Sequence, residues 1–215
     1  RSKEKYIWLS DSSHVKQQKE IEKFDKAREL SEKINELRTH ILKNLRSEDV
    51  KRRKVATVSY LIDTLKLRVG DEKDPDEADT VGATTLRPSH VVINSKNKVI
   101  FDFLGKDSVR LQKEVMLPEN VVKNIEAFKA EAEARNNAEA ILFDGIRSEH
   151  VNSFLSEVMS GLTAKVFRTY HASAVVRNSL EKANVSVSQP VLVKKHVATM
   201  ANLEAAVVCN HKRKP

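Results

Sequence analysis

The side chains best suited to chemistry in this sequence are four basic groups in four separate stretches, Arg68, Lys106, Arg168 and His211. Attack on a phosphodiester builds negative charge on two nonbridging oxygens, and guanidinium groups and an imidazole can stabilise that charge without a metal. Arg68, Arg168 and His211 suit this role. The departing oxygen needs a proton, which Lys106 on a flexible hairpin tip could deliver as a general acid. The set predicts a phosphoryl-transfer site.

Taken singly, each group has a more ordinary interpretation. Arg68 near a helix end is more often a dipole partner or a surface ion pair. Lys165 and Arg168 lie three residues apart and could form an exposed basic edge, and His211 would normally be a surface histidine. The first two turns of a helix do favour anion contact, however, because free backbone amides and the dipole point the same way. The prediction therefore rests on the combination.

Composition sets wider limits. The 215 residues are 40% hydrophobic, enough for one good core or two small ones. A net charge of +8 and a pI near 9.5 favour a polyanionic partner. The single cysteine, Cys209, excludes an intramolecular disulfide framework, and its valine neighbours predict a buried thiol. No apolar run approaches the length of a membrane span, so we expect a soluble, intracellular protein with no membrane partner.

The first elements that must position these groups are helices. Residues 14–46 lack Gly and Pro and repeat apolar residues at helical spacing, which predicts one long helix or two in series, capped within residues 11–13. A further helix over residues 47–70 should end at its glycine, which places Arg68 in the last turn. Residues 71–80 are acidic and contain a proline, which predicts an exposed loop.

The pattern then changes period. Residues 90–93, 99–104 and 108–115 predict a three-stranded antiparallel meander with Lys106 at a hairpin tip.

Four more helices complete the chain. One opens at Pro118, one covers residues 148–160, one is capped by Thr163, and the last begins near Pro190. Residues 177–189 are polar and predict a loop or a frayed end. The core residues of the last helix are expected to be Leu192, Val193, Val197, Met200, Leu203 and Val207.

Four local strings carry a resemblance to a known family. They are LRVG at 67–70, DFLGKDS at 102–108, GLTAKVFRTY at 161–170 and CNH at 209–211. Together they resemble the catalytic core of the eukaryotic type IB DNA topoisomerases. The resemblance implies an α+β, mainly α-helical fold, the core shared by tyrosine recombinases and type IB topoisomerases, with a three-stranded antiparallel sheet.

The resemblance also implies roles. Arg68, Lys106, Arg168 and His211 match the family's catalytic positions, while Lys165, Arg110 and Asp107 are the expected DNA contacts. The implied reaction relaxes supercoiled double-stranded DNA through a transient 3′-phosphotyrosine, without a cofactor or a metal. Tyrosine recombinases typically have a histidine at the position of Lys165, so the lysine favours the topoisomerase branch.

The family's nucleophilic tyrosine has no counterpart in this sequence. Tyr6, Tyr60 and Tyr170 lie in other contexts, so the resemblance implies that a second polypeptide carries the nucleophile. That polypeptide could reflect an engineered fragment or a natural small subunit, as in the split topoisomerases of trypanosomatid protozoa. The chain starts without methionine and resembles a piece of something longer. We divide it into residues 1–46, a connecting strand and long helix leading from the family's missing cap, and residues 47–215, the catalytic core subdomain.

Two other functions stay open from the sequence. One is a noncatalytic module that binds duplex DNA through phosphate contacts alone, and the other is a tyrosine recombinase. Nuclear residence is implied by the resemblance rather than by a signal. The basic cluster at residues 51–54 falls inside a predicted helix, where a DNA-facing or solvated edge is the expected interpretation.

Overall fold

The computed structural model describes residue 10 and residues 13–70, 81–94 and 97–210, with the side chain of Asp107 excepted. The predicted acidic loop at 71–80, the connecting strand at 6–9 and His211 lie outside the described residues.

Six α-helices and one sheet make up the described part of the chain. The helices are α1 (His14–Asn44), α2 (Val50–Leu65), α3 (Glu119–Glu133), α4 (Ser148–Ser156), α5 (Ala164–Ala183) and α6 (Val191–Val208). The strands are β1 (Val91–Asn94), β2 (Lys98–Leu104) and β3 (Arg110–Met116), in the antiparallel order β1-β2-β3. The predicted α+β, mainly helical class with a three-stranded meander is confirmed.

Side-chain caps explain where the first two helices begin. The Ser13 hydroxyl accepts the backbone N–H of Lys16 at 3.2 Å, and the Asp49 carboxylate accepts that of Lys51 at 2.9 Å. Each cap satisfies an amide that has no partner within its helix. The first helix is a single element of 31 residues rather than two in series.

One hydrophobic core joins helices α1 to α5 and the sheet. Helix α1 contributes Leu30, Ile34, Leu37 and Ile41 at helical spacing, and all of them are buried. Helix α1 packs against α2 and α5, and α2 also packs against α3 and α4. The division of the chain at residue 46 stays a prediction.

Helix α2 ends earlier than its sequence predicts. The last helical residue is Leu65, and Lys66 takes a left-handed conformation with φ 60° as the C-cap. The expected end at Gly70 is therefore wrong, and Arg68 lies in an extended segment after the helix rather than in its last turn. The reason is tertiary, because the backbone amides of Ala83 and Thr84 donate hydrogen bonds to the carbonyls of Arg68 and Val69.

Helix α5 continues beyond its predicted end. Residues 177–183 are helical, and Asn184 closes the helix in the left-handed conformation that Asn tolerates well, with φ 44°. The predicted loop over 177–189 is wrong in its first half, where the chain stays helical although most of its residues are exposed. Helix α4 is shorter than predicted, ending at Ser156 before a turn that leads to Gly161.

Helix α6 presents a different face to the core than its sequence predicts. Its buried residues are Ala201 and Ala205, whereas Leu192 is 79% exposed and Leu203 is 55% exposed. The small alanines allow α6 to approach α5 closely, so the large apolar residues point outward.

The basic cluster at 51–54 is only in part the predicted edge, because Lys51 is exposed whereas two of its members form ion pairs with other elements. Arg52 forms a bidentate ion pair with Glu157, the C-cap residue of α4, and Lys54 is buried and pairs with Glu131 of α3. These pairs tie α2 to its neighbours. No helix in the described part of the chain is long and apolar enough to cross a membrane.

Candidate active site

Arg68 is held by its backbone. The Ala83 amide donates to the Arg68 carbonyl at 2.9 Å, and the Thr84 amide and hydroxyl both donate to the carbonyl of Val69 at 2.8 and 2.9 Å. This pairing requires the two glycines beside it, because a Cβ on Gly82 would lie 2.3 Å from the Cα of Gly70. The Arg68 side chain is left exposed on a fixed backbone.

Lys106 begins a short 3₁₀ helix between β2 and β3, as expected for the tip of a hairpin. The Gly105 amide donates to the Val109 carbonyl at 2.9 Å and closes this connection. The Val81 amide donates to the Leu104 carbonyl at 2.9 Å. The stretch around Val81 to Thr84, which pairs with the backbone of Arg68, is thereby attached to the end of β2, two residues before Lys106. Lys106 is exposed, and Asp107 lies in the same 3₁₀ helix.

Arg168 lies in the second turn of α5 and is partly buried. Its Nη2 donates to the backbone carbonyl of Cys209 at the end of α6, at 2.9 Å. Burial, together with the charge of Arg68 nearby, lowers the pKa of Arg168. A guanidinium nonetheless stays charged in proteins. The guanidinium groups of Arg68 and Arg168 therefore lie close enough for their charges to interact.

One pocket collects these groups from distant parts of the chain. It is lined by Lys66, Leu67, Arg68, Val81, Phe103, Gly105, Lys106, Val109, Leu111, Arg168, Cys209 and Asn210. The structure thus brings Arg68, Lys106 and Arg168 together. The chain runs from the pocket-lining Asn210 into His211, which is outside the described residues.

Two of the proposed DNA contacts, Lys165 and Arg110, are not among the described residues that line the pocket. Lys165 is exposed on α5. The pKa of the Glu20 carboxyl on α1 is lowered mainly by its hydrogen bond with Lys23, and the charge of Lys165 lowers it further. Arg110 is exposed and forms a bidentate pair with Asp102 across the hairpin, at 2.7 and 2.6 Å, which lowers the pKa of Asp102.

Two further lysines belong to this region, and sequence reasoning missed both. Lys66 lines the pocket and donates to the carbonyls of Asp63 and Thr64 at 2.9 and 3.0 Å, while Lys113 of β3 donates to that of Leu65 at 2.9 Å. Burial is the main cause that lowers the pKa of each lysine. Both lysines donate to the last backbone carbonyls of α2. The sequence predicted a later end for this helix, so it did not indicate this role.

The tyrosines of the described residues lie elsewhere. Tyr170 lines a groove between α1 and α5, and Tyr60 packs against the hydrophobic core from α2. Tyr6 is outside the described residues. Neither Tyr60 nor Tyr170 is among the residues that line the pocket.

Chemically, the pocket is an anion site. Its cations come from elements held in place by backbone hydrogen bonds, so they are oriented before an anion arrives. Two guanidinium groups with an ammonium group suit the several oxygens of a phosphate, which can accept hydrogen bonds from all three.

Comparison with known proteins agrees with this geometry. The model of the family described as "Eukaryotic DNA topoisomerase I, catalytic core" matches residues 12–215. DNA topoisomerase 1 of Candidozyma auris is 42% identical over 209 residues, and that of Schizosaccharomyces pombe is 39% identical over 211 residues. DNA topoisomerase 1 alpha of Arabidopsis thaliana is 42% identical over 211 residues.

Each of these alignments covers 97% of this chain, which spans 27%, 25% and 22% of the respective relatives. The chain is thus about a quarter of the length of the curated relatives it matches. The family match extends over nearly all of the sequence and includes every stretch that lines the pocket. The chain belongs to the family of eukaryotic DNA topoisomerase I catalytic cores.

Proposed function

We propose that this chain supplies the charge-stabilising part of a type IB topoisomerase active site, which relaxes supercoiled DNA by transient cleavage and religation of one strand. The observation that carries the proposal is the convergence of Arg68, Lys106 and Arg168 on one pocket from three separate stretches of chain. A phosphodiester placed there would contact cations from the segment after α2, from the hairpin tip and from α5.

The proposed reaction is a transesterification in which atoms and charge balance. A tyrosine oxygen forms a bond to phosphorus as its phenolic proton passes to solvent, while the bond from phosphorus to the 5′ oxygen breaks, leaving a 3′-phosphotyrosine and a 5′ hydroxyl. Arg68, Arg168 and His211 stabilise the charge that develops on the nonbridging oxygens. Lys106 donates the proton that the departing 5′ oxygen requires.

Reversal of the same step reseals the strand. The energy of the phosphodiester is kept in the phosphotyrosine, so the chemistry needs no nucleotide hydrolysis. Between the two steps the broken strand can swivel and release torsion.

We place the nucleophilic tyrosine on a second polypeptide. Support comes from α6, where Leu192, Met200, Leu203 and Val207 form an exposed stripe on one face of the helix. The end of α6 reaches the pocket, because the Cys209 carbonyl accepts the hydrogen bond from Arg168. A tyrosine-bearing polypeptide packed along this stripe would therefore be positioned beside the cations. The apolar character of the stripe suits a protein better than the phosphate backbone of DNA.

We expect duplex DNA to cross the face that carries the pocket. A net charge of +8 favours a polyanion, and Lys165, Arg110 and Asp107 are the proposed contacts that flank the reacting phosphate. This substrate implies a nuclear location.

A label-transfer experiment tests the proposal. The chain, with the polypeptide that accompanies it in its source, is incubated with end-labelled duplex DNA in EDTA and then denatured. We expect the label on the second polypeptide, and labelling slower by about 10²-fold or more when Arg168→Ala replaces the wild-type chain. Label on this chain itself would mean that one of its three tyrosines is the nucleophile and would refute the split site.

The same experiment separates the other functions. A noncatalytic module would bind DNA with a steep salt dependence and form no adduct under any condition. A recombinase would form adducts only at a preferred sequence, which substrates of scrambled sequence would reveal.

A further inference from the structure

An ionic cluster with a buried carboxylate at its centre joins α1, α2 and α5. Asp63 of α2 accepts two hydrogen bonds from Arg38 of α1, Nε to Oδ2 at 2.8 Å and Nη2 to Oδ1 at 3.2 Å. It also accepts one from Nε2 of His171 on α5, at 2.9 Å. Because a carboxylate can only accept, this histidine nitrogen carries the proton. Asp63 is 8% exposed and His171 is 7% exposed.

The cluster is joined to both arginines of the pocket by short lengths of chain. Asp63 lies five residues before Arg68, and its backbone carbonyl accepts the Lys66 ammonium, so the end of α2 is fixed at this point. His171 lies three residues after Arg168, one turn along α5, and shares its helix face. A movement of Asp63 relative to His171 would change the separation of the two guanidinium groups.

Asp63 is strongly ionised within this cluster. Burial alone would raise the pKa of the Asp63 carboxyl, but the hydrogen bonds and charges of His171 and Arg38 outweigh it and lower the pKa to about 2. The bidentate geometry of Arg38 adds orientation as well as attraction. Loss of either partner would leave the buried Asp63 carboxylate incompletely compensated, which is costly. The three side chains are therefore held in a fixed arrangement.

We propose that Asp63, Arg38 and His171 form a positioning cluster that sets the placement of Arg68 and Arg168 on the same phosphate. The proposal deepens the proposed function and rests on it. None of the three residues lines the pocket, so they act through α2 and α5 rather than by touching DNA. An error of about 1 Å in the placement of such groups can cost on the order of 10²-fold in rate.

Two variants of His171 test this role. In His171→Gln the side-chain amide can still donate to Asp63, whereas in His171→Leu it cannot. In the complex with the tyrosine-bearing polypeptide we expect His171→Leu to slow single-turnover cleavage by about 10- to 100-fold, the size of a misplacement effect. Duplex affinity should change by less than about threefold, because the phosphate-contacting cations remain. His171→Gln should recover most of the rate.

Glu157→Gln provides the matched control. Glu157 also accepts a bidentate pair from an arginine, Arg52, and it also links α2 to another helix, but it lies outside the pocket. At equal thermal stability, Glu157→Gln should leave the cleavage rate unchanged. If Glu157→Gln and His171→Leu lost cleavage rate equally, the cluster would only stabilise the fold in general, and the proposal would be overturned.

A second measurement does not need the tyrosine. In ¹⁵N spectra of the arginine side chains of this chain alone, His171→Leu should shift the Arg168 signals, and Glu157→Gln should not. Unshifted Arg168 signals in folded His171→Leu would overturn the cluster. If wild type forms no adduct although His171→Leu shifts Arg168, the proposed function fails while the cluster stands. If His171→Leu does not fold, Arg38→Gln replaces it, since the Arg38 side chain is 44% exposed.

Discussion

At the scale of single residues, Arg168 carries the clearest expectation. Its guanidinium is partly buried and oriented by the Cys209 carbonyl, so it is positioned before substrate binds. By comparison with the removal of one oxyanion donor, Arg168→Ala should lower the single-turnover cleavage rate by about 10²-fold or more. Quench-flow cleavage and duplex binding should be measured together. A fall in affinity alone, at an unchanged rate, would contradict this role.

Lys106 differs because its role is to protonate the leaving group. A substrate whose 5′ leaving atom is sulfur needs little protonation, so Lys106→Ala should be slow on the oxygen substrate and nearly normal on the sulfur one. Arg168→Ala is the control, because its loss should slow both substrates. Equal slowing of Lys106→Ala on the two substrates would remove the general-acid assignment.

At the scale of elements, the contact between Gly70 and Gly82 holds the segment of Arg68. In Gly82→Ala the new Cβ would meet backbone atoms at 2.3 and 2.6 Å, which cannot relax as a flexible side chain would. We expect a loss of at least about 2 kcal/mol in unfolding free energy, typical of overpacking. For a chain of this size that corresponds to a Tm lower by about 4–8 °C.

Gly145→Ala is the control for that substitution. Gly145 also has a positive φ, +78°, but no atom within 4 Å of an added Cβ, so only backbone strain is introduced. Calorimetry should give a smaller loss of about 1 kcal/mol. A Gly82→Ala variant no less stable than Gly145→Ala would show that the close approach does not constrain this segment.

Three elements meet at Asp63, and their contact should be visible in acid. The pKa of Asp63 is about 2 in the folded chain, against 3.8 for the unfolded reference. A lowered folded pKa contributes stability that is complete above pH 3.8 and is lost as the pH falls through about 2. The contribution is about 2 kcal/mol. Denaturant unfolding between pH 5 and 2 should show a shallower pH dependence in Asp63→Asn, and identical slopes would contradict this linkage.

At the scale of the whole molecule, the exposed stripe on α6 decides how the chain meets its proposed partner. Leu203→Glu places a charge at the centre of the stripe and should weaken association with the tyrosine-bearing polypeptide by at least about tenfold. Met116→Glu on β3 is the control, since Met116 is 65% exposed but far from the stripe in sequence and on another element. Affinities should be measured by calorimetry, and equal effects of the two variants would contradict docking on α6.

Much of the fold followed from local information in the sequence. The helical spacing of Ile34 to Ile41, a cap within residues 11–13 and the β-branched and aromatic strands around Phe101 depend on neighbouring residues, so they are visible without a fold. The family strings also identified Arg68, Lys106 and Arg168 as one set. Their convergence on a pocket agrees with that prediction, while the role of each stays a proposal.

Only the tertiary structure decided what depends on distant contacts. The end of α2 at Leu65 follows from the backbone pairing of Arg68 and Val69 with residues 83–84, and the outward stripe of α6 follows from two alanines packed on α5. Asp63 finds its partners 25 and 108 residues away. Such partners have no periodic signature in sequence, because their pairing is set by how helices pack rather than by how each one forms.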